Sequence, residues 1–95
     1  MRSYELGVIL HSALEEADLT QAVEKISGHL KTGGGAVTSV NVWGKRTMTY
    51  PIRKQREGTY VFWQAQLEPR AIREIERNLK LDEKVLRYLL VQMEG

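Results

Sequence analysis

The stretch Trp43–Gly58, WGKRTMTYPIRKQREG, concentrates positive charge and aromatic surface as no other part of the chain does. Five basic residues and no acid lie between Lys45 and Arg56. The 95-residue chain has 14 Lys and Arg and 12 Asp and Glu, so the rest of the chain contains nine basic residues and all 12 acids. This charge separation is typical of a protein that binds a polyanion, usually nucleic acid, at one place. Charge alone leaves a second interpretation open, a solvated hairpin whose cations keep an edge strand soluble.

The same stretch predicts a bent edge strand, which constrains the rest of the fold. Gly44 interrupts a run rich in Val, Thr and Tyr, and such a glycine indicates a bulge or bend. Pro51 cannot donate a ladder hydrogen bond, so it fits only an edge strand or the last residues of a strand. The segment Arg53–Gly58 has no apolar residue and ends on glycine, which predicts a mobile basic hairpin loop.

Three further strands are predicted outside this stretch. Arg2–Leu10 alternates, with its even-numbered residues on the core face, and Thr59–Leu67 alternates with its odd-numbered residues on the core face. The strand that includes the basic stretch is expected from Ala36 to about Ile52. Val85–Met93 is almost wholly apolar and predicts the last strand.

Two helices are predicted between the strands. The first ends at about Lys31, before a triple glycine, and its start is left open between a capping box at Ser12 and a start at Asp18. The glycines follow a helix and do not precede one, which argues against a phosphate-binding loop. The second helix begins at Glu68-Pro69 and has a narrow apolar stripe.

The order strand, helix, strand, strand, helix, strand predicts an α+β fold, the ferredoxin-like split β-α-β sandwich. Right-handed crossovers place the first and third strands in the centre of a four-stranded antiparallel sheet, with both helices on one face. The chain length predicts a single domain over residues 1–95. The expected core comprises Leu6, Val8, Ile26, Leu30, Ala65, Leu67, Ile75, Leu79 and Leu90. The helix-free face is expected to carry Ile9, Tyr60, Phe62 and Arg87.

No pattern in the sequence predicts catalysis, a metal site, a cofactor or a small-molecule substrate. The chain has no cysteine, and His11 and His29 have no carboxylate or serine at a spacing typical of a triad. The acids fall on helix faces and turns, where a helix dipole accounts for the first cluster. Neither a long apolar run nor a signal-like N-terminus occurs, so a cytosolic protein without a membrane span is expected.

Aromatic residues on the open sheet face suggest a second hypothesis, a free-standing protein resembling the RNA-recognition motif (RRM). Such domains stack single-stranded bases on exposed rings. The local sequence departs from that motif, because Glu57-Gly58 is followed by Thr59, and Val61 breaks the expected aromatic pair. An alternative role for Tyr60 and Phe62 is to cover the sheet or contact a protein partner.

The chain resembles bacterial small-subunit ribosomal protein six along its whole length. Four segments support the resemblance: Met1–Glu5, Gly44–Ile52, Gly58–Trp63 and Val85–Val91. The most specific is Gly44–Ile52, in which a glycine and two basic residues are followed by a tyrosine-x-isoleucine pattern. Thr47-Met48-Thr49 departs from the more apolar run usual in that family. Many relatives also carry a C-terminal tail that contacts a partner, whereas this sequence stops at Gly95.

This resemblance implies the ferredoxin-like fold and a structural role in the cytoplasmic ribosome. It also implies binding to the central domain of 16S ribosomal RNA beside small-subunit ribosomal protein eighteen. The candidate residues for RNA or partner contact are then Arg2, Lys45, Arg46, Tyr50, Arg53, Lys54, Arg56 and Arg87.

Overall fold

The computed structural model describes residues 1–93 and contains one four-stranded antiparallel sheet with two helices. Its elements are β1 (Arg2–His11), α1 (Glu16–Lys31), β2 (Ala36–Ile52), β3 (Gln55–Leu67), a short 3₁₀ turn (Pro69–Ala71), α2 (Ile72–Leu81) and β4 (Val85–Gln92). The strand order is β2-β3-β1-β4, with every neighbouring pair antiparallel. This confirms the ferredoxin-like α+β arrangement, with β1 and β3 in the centre and the basic strand β2 at an edge.

The core lies between the helices and one face of the sheet. The even-numbered residues of β1 from Tyr4 to Leu10 and the odd-numbered residues of β3 from Val61 to Leu67 are buried, as the alternation predicted. Ile26 from α1 and Ile75 from α2 belong to the same buried cluster, so both helices cover this face. The Trp63 indole Nε1 donates a 2.9 Å hydrogen bond to Ser27 Oγ, which satisfies the polar atom of the largest core side chain.

Eight of the nine predicted core residues are buried. Leu90 packs against the cluster but is only partly buried, because β4 is an edge strand with no neighbour on its outer side. No helix among residues 1–93 is both long enough and apolar enough to cross a membrane.

The start of α1 differs from both predictions. The helix begins at Glu16 with Glu15 as its N-cap, and no side chain caps it. Ser12 cannot be the capping residue, because the Leu14 amide donates to the His11 carbonyl and closes a turn around it. The first helical bond runs instead from the Leu19 amide to the Glu15 carbonyl, 2.8 Å apart. Acidic residues in this first turn oppose the positive end of the helix dipole.

The predicted basic loop Arg53–Gly58 is also corrected. The strands continue through most of it, β3 begins at Gln55, and Ile52 pairs with Gln55 across a two-residue turn. Arg53 and Lys54, the two turn residues, have φ values of 49° and 65°. Positive φ at both positions is the type I′ pattern, whose twist matches that of the flanking strands. The two strands therefore remain paired through the segment that polar composition predicted to be a loop.

Candidate nucleic-acid interface

The β2-β3 hairpin is bent twice along its length, and both bends carry predicted residues. The register with β3 shifts between Val42 and Gly44, where Gly44 has φ 85°, so the predicted bulge is confirmed. A larger irregularity lies between Thr47 and Ile52 and contains Tyr50 and Pro51. Proline therefore occupies an edge-strand bulge, where its missing N–H is tolerated. Tyr50 is 79% exposed in this second bend.

A glycine in β3 leaves room for apolar side chains on the open face of the sheet. Gly58 is buried, and a Cβ there would overlap Cγ2 of Ile9 and would lie 3.5 Å from Sδ of Met48. Met48 is only 7% exposed, although it lies on the polar hairpin. The absence of a side chain at Gly58 therefore leaves room for Ile9 and Met48 beside β3.

Lys45 and Arg46 point to opposite faces of β2. Lys45 pairs with Thr59, which is buried and, like the other odd-numbered residues of β3, lies on the core face. Arg46 pairs with Gly58, which, like the other even-numbered residues of β3, lies on the open face. Successive side chains of a strand alternate between its two faces. The two cations are therefore neighbours in sequence but lie on different surfaces of the hairpin.

An aromatic cluster on the open face holds Arg46. The Arg46 guanidinium carbon lies 5.8 Å from the centroid of the Trp43 ring, within the range of a cation–π contact. Trp43 in turn packs at 4.5 Å between ring centroids against Phe62. Trp43 is 55% exposed, so it presents a large apolar surface beside a cation. Trp43 was not among the predicted contact residues, although a tryptophan next to the glycine bend was a usable signal.

The open face continues from this cluster as an apolar groove. The groove has a volume of about 210 Å³ and lies along β1, β3 and β4. Among its lining residues are Ile9, Tyr60, Phe62 and Arg87, the four side chains predicted to point away from the helices. Leu89 and Val91 extend it along β4 and are 65% and 44% exposed. Phe62 is only half-exposed, because it packs against Trp43 and over Gly7. That packing leaves its ring poorly placed to stack on a base, which weakens the RRM-like hypothesis.

Most candidate contact residues gather at one end of the sheet. Arg53 and Lys54 form the hairpin tip, Arg56 lies in β3 beside the second bend, and Arg87 of β4 pairs with Ile9 near the same end. Arg2 is the exception. It pairs with Leu67, nine residue steps or roughly 30 Å along β1 from the His11–Gly58 pair, and the basic end of the hairpin lies at and beyond that pair. The structure therefore brings seven of the eight predicted residues toward one end and separates Arg2 from them.

Within residues 1–93, no group of three or more His, Asp or Glu side chains has an arrangement that could hold a metal ion. His11 lies at the end of β1 and His29 in the last turn of α1. We expect a chelator such as EDTA to leave the melting temperature of the free protein unchanged, because the side chains of residues 1–93 include no group arranged to hold a metal. Thermal unfolding followed by circular dichroism, with and without chelator, measures this. A fall in melting temperature with EDTA would contradict it.

Comparison with known proteins identifies the family. The family model described as Ribosomal protein S6 matches residues 3–92. The chain belongs to the ribosomal protein S6 family. It is 40% identical to small ribosomal subunit protein bS6 of Salinispora arenicola over 94 residues, which is 99% of this chain and 98% of that protein. The bS6 protein of Moorella thermoacetica is also 40% identical, over 99% of this chain and 96% of its own.

A solved structure of the same family has the same fold. The crystal structure of 30S ribosomal protein S6 from Thermotoga maritima superposes with a TM-score of 0.91 at 22% identity, covering 97% of this chain and 87% of that one. Ribosomal protein S6 is a structural component of the ribosome and not an enzyme, and family membership places this chain in the cytoplasmic ribosome. The predicted family, fold class and non-catalytic role are thereby confirmed.

Proposed function

We propose that residues 1–95 form one RNA-binding domain that binds the central domain of 16S ribosomal RNA together with small-subunit ribosomal protein eighteen. The observation that carries this proposal is the position of the basic hairpin, which lies beside an apolar open face at one end of the sheet. The positively charged hairpin can bind the phosphate backbone of RNA, and the exposed apolar face can bind a protein. Having both surfaces next to each other fits a protein that contacts RNA and a partner at once.

The RNA contact is assigned to the hairpin and its surroundings. Arginines can fork onto phosphate oxygens with two hydrogen bonds, while Lys45 and Lys54 act as point charges. Such contacts fix the position of the protein on folded RNA without reading its sequence. The proposed contact residues at this end of the sheet are Lys45, Arg46, Tyr50, Arg53, Lys54, Arg56 and Arg87. Arg2, at the other end, would contact a different segment of the RNA or the partner.

The partner contact is assigned to the open face. Trp43 supplies a large ring of the type that dominates protein interfaces, and Leu89 and Val91 add exposed aliphatic surface along β4. The helix layer covers the opposite face of the sheet, so this is the face left free for another protein. A partner seated here would remain within reach of RNA held by the hairpin.

The proposal is tested by measuring the affinity of this protein for a 16S central-domain fragment, with and without protein eighteen. We expect tighter binding to the fragment when the partner is present, and weaker binding to an unrelated folded RNA of equal length. Leu89→Ser should weaken the partner-dependent step by about 2 kcal/mol, the value of one buried leucine. Leu81→Ser is a matched control, because Leu81 is 69% exposed at the end of α2.

Two results would contradict the proposal. Equal affinity with and without protein eighteen would remove the role of the partner. Preference for an unstructured single-stranded oligonucleotide over the folded fragment would instead favour the RRM-like hypothesis.

A further inference from the structure

A second cavity, of about 230 Å³, lies where the hairpin tip, the end of α2 and the start of β4 meet. Its charged lining residues are Arg53 from the turn, Lys80 from α2 and Arg87 from β4. The hairpin turn and the two consecutive elements α2 and β4 thus bring three cations to one site. Lys80 was not among the predicted contact residues, although Arg73, Arg77 and Lys80 share one helix face by their spacing.

No acid lines this cavity, whose lining residues all lie in the described part of the chain. The ion pairs found within residues 1–93 join the N-terminus to Glu68 and Lys25 to Asp82, so none of the three cations has an acidic partner within 4 Å. Mutual repulsion of three cations around one cavity is relieved by a bound anion. A neighbouring surface on α2 does contain an acid, since Glu76 lines it together with Arg73, Arg77 and Lys80.

The floor of the cavity is apolar. Leu79, Val85 and Leu86 line it and are 1%, 4% and 7% exposed, whereas the three cations are exposed at its rim. A cleft with a low-dielectric wall and charges of one sign concentrates the electric field and raises the local concentration of counter-ions. The C-terminus of α2 adds a partial negative charge of about half a unit, which three full positive charges outweigh.

The volume and the charges of the cavity indicate which anion it can hold. Its volume lies below the range of about 300–1,000 Å³ typical of small-molecule sites. A single phosphate group fits within this volume and suits the charges, and the rest of the nucleotide can remain outside the cavity. Tyr88 also lines the cavity, and its phenol can donate a further hydrogen bond to a phosphate oxygen.

We propose that Arg53, Lys80 and Arg87 together bind one phosphate of the RNA backbone in this cavity. The inference rests on the proposed RNA-binding function and adds a defined phosphate site that includes a helix residue. RNA held here would pass from the open face around the end of the sheet toward α2. The two arginines supply paired donors and Lys80 a compact charge.

The site itself is tested on the free protein with inorganic phosphate as the probe, at constant ionic strength set by chloride. We expect saturable NMR shifts of the Arg53, Lys80 and Arg87 amides. These shifts should disappear in Lys80→Gln and persist in Lys31→Gln. Lys31 is a matched control, because it is an exposed lysine at the C-terminal end of α1. Shifts that never saturate, or that are equal in both variants, would overturn the phosphate site.

The role of the site in RNA binding is tested with the central-domain fragment. We expect Lys80→Gln to weaken binding about tenfold and to reduce the slope of log affinity against log salt by about 0.7–0.9, with no change for Lys31→Gln. If the unaltered protein does not bind the fragment, the proposed function fails. If it binds and Lys80→Gln matches Lys31→Gln, the RNA lies elsewhere and this inference alone fails. Equal melting temperatures of the two variants exclude an effect on folding.

Discussion

Replacing Ile26 with alanine is expected to lower the free energy of unfolding by about 2–5 kcal/mol. Ile26 is completely buried in α1, within the cluster that joins both helices to the sheet. Alanine would remove three carbon atoms and leave a cavity that the central strands cannot collapse to fill. Urea denaturation followed by circular dichroism measures the loss of stability.

An exposed substitution in the same helix provides the control for Ile26. Glu24→Ala, one half-turn away on the solvent side of α1, should change stability by no more than about 0.5 kcal/mol. A loss below about 0.5 kcal/mol for Ile26→Ala as well would place Ile26 outside the core. It would also contradict the packing of α1 against the sheet.

Replacing both Lys45 and Arg46 with alanine is expected to produce a large decrease in RNA affinity. Each phosphate contact that is lost should reduce the slope of log affinity against log salt by roughly 0.7–0.9. The decrease in affinity should be similar for different RNA sequences. Binding of the central-domain fragment at several salt concentrations measures both effects. Both side chains are exposed, so the fold should be unaffected.

The two single variants extend this experiment, because Lys45 and Arg46 point to opposite faces of β2. If the RNA lies on the open face, Arg46→Ala should account for most of the decrease in affinity. If the RNA passes along the outer edge, both variants should contribute. Arg46→Ala also removes the cation–π contact with Trp43, worth about 0.5–1 kcal/mol at an exposed site.

A double replacement of Arg73 and Arg77 on α2 gives the control for the hairpin pair. Glu76 lies between these arginines and offsets their charge at short range, and salt screens what remains. We expect a much smaller change in binding. A large decrease in affinity from the helix pair with none from the hairpin pair would place the RNA on the other side of the molecule.

Much of the fold could be predicted because local patterns and the global fold agree. The alternation in β1 and β3 identified the buried face of each strand, since a shift of one residue would expose every apolar side chain. The glycine at 44 and the proline at 51 identified β2 as a bent edge strand. The start of α1 could not be predicted, because the sequence offered Ser12 and Asp18, whereas the turn at His11 excludes Ser12 and the helix begins at Glu16 without a side-chain cap.

The candidate site was predicted less completely than the fold. Charge density located the basic hairpin, but composition suggested a loop where backbone pairing extends both strands. Arg2 was grouped with the hairpin residues, although the register of β1 and β3 places it at the other end of the sheet. Sequence proximity also suggested that Lys45 and Arg46 act together, whereas the strand geometry separates their side chains.

The sequence by itself determined the order of the elements, the buried face of each central strand and the segment that carries the excess positive charge. These properties depend on residues close together in the chain, whose periodicity and composition are local. The tertiary structure alone decided that Trp43 supports Arg46 and that Lys80 joins Arg53 and Arg87 at one cavity. Those groupings depend on how the hairpin bends and on which elements meet at the end of the sheet. Arg53 and Arg87 are 34 positions apart, so no local pattern brings them together, and the contact between Trp43 and Arg46 depends on the bulge at Gly44 between them.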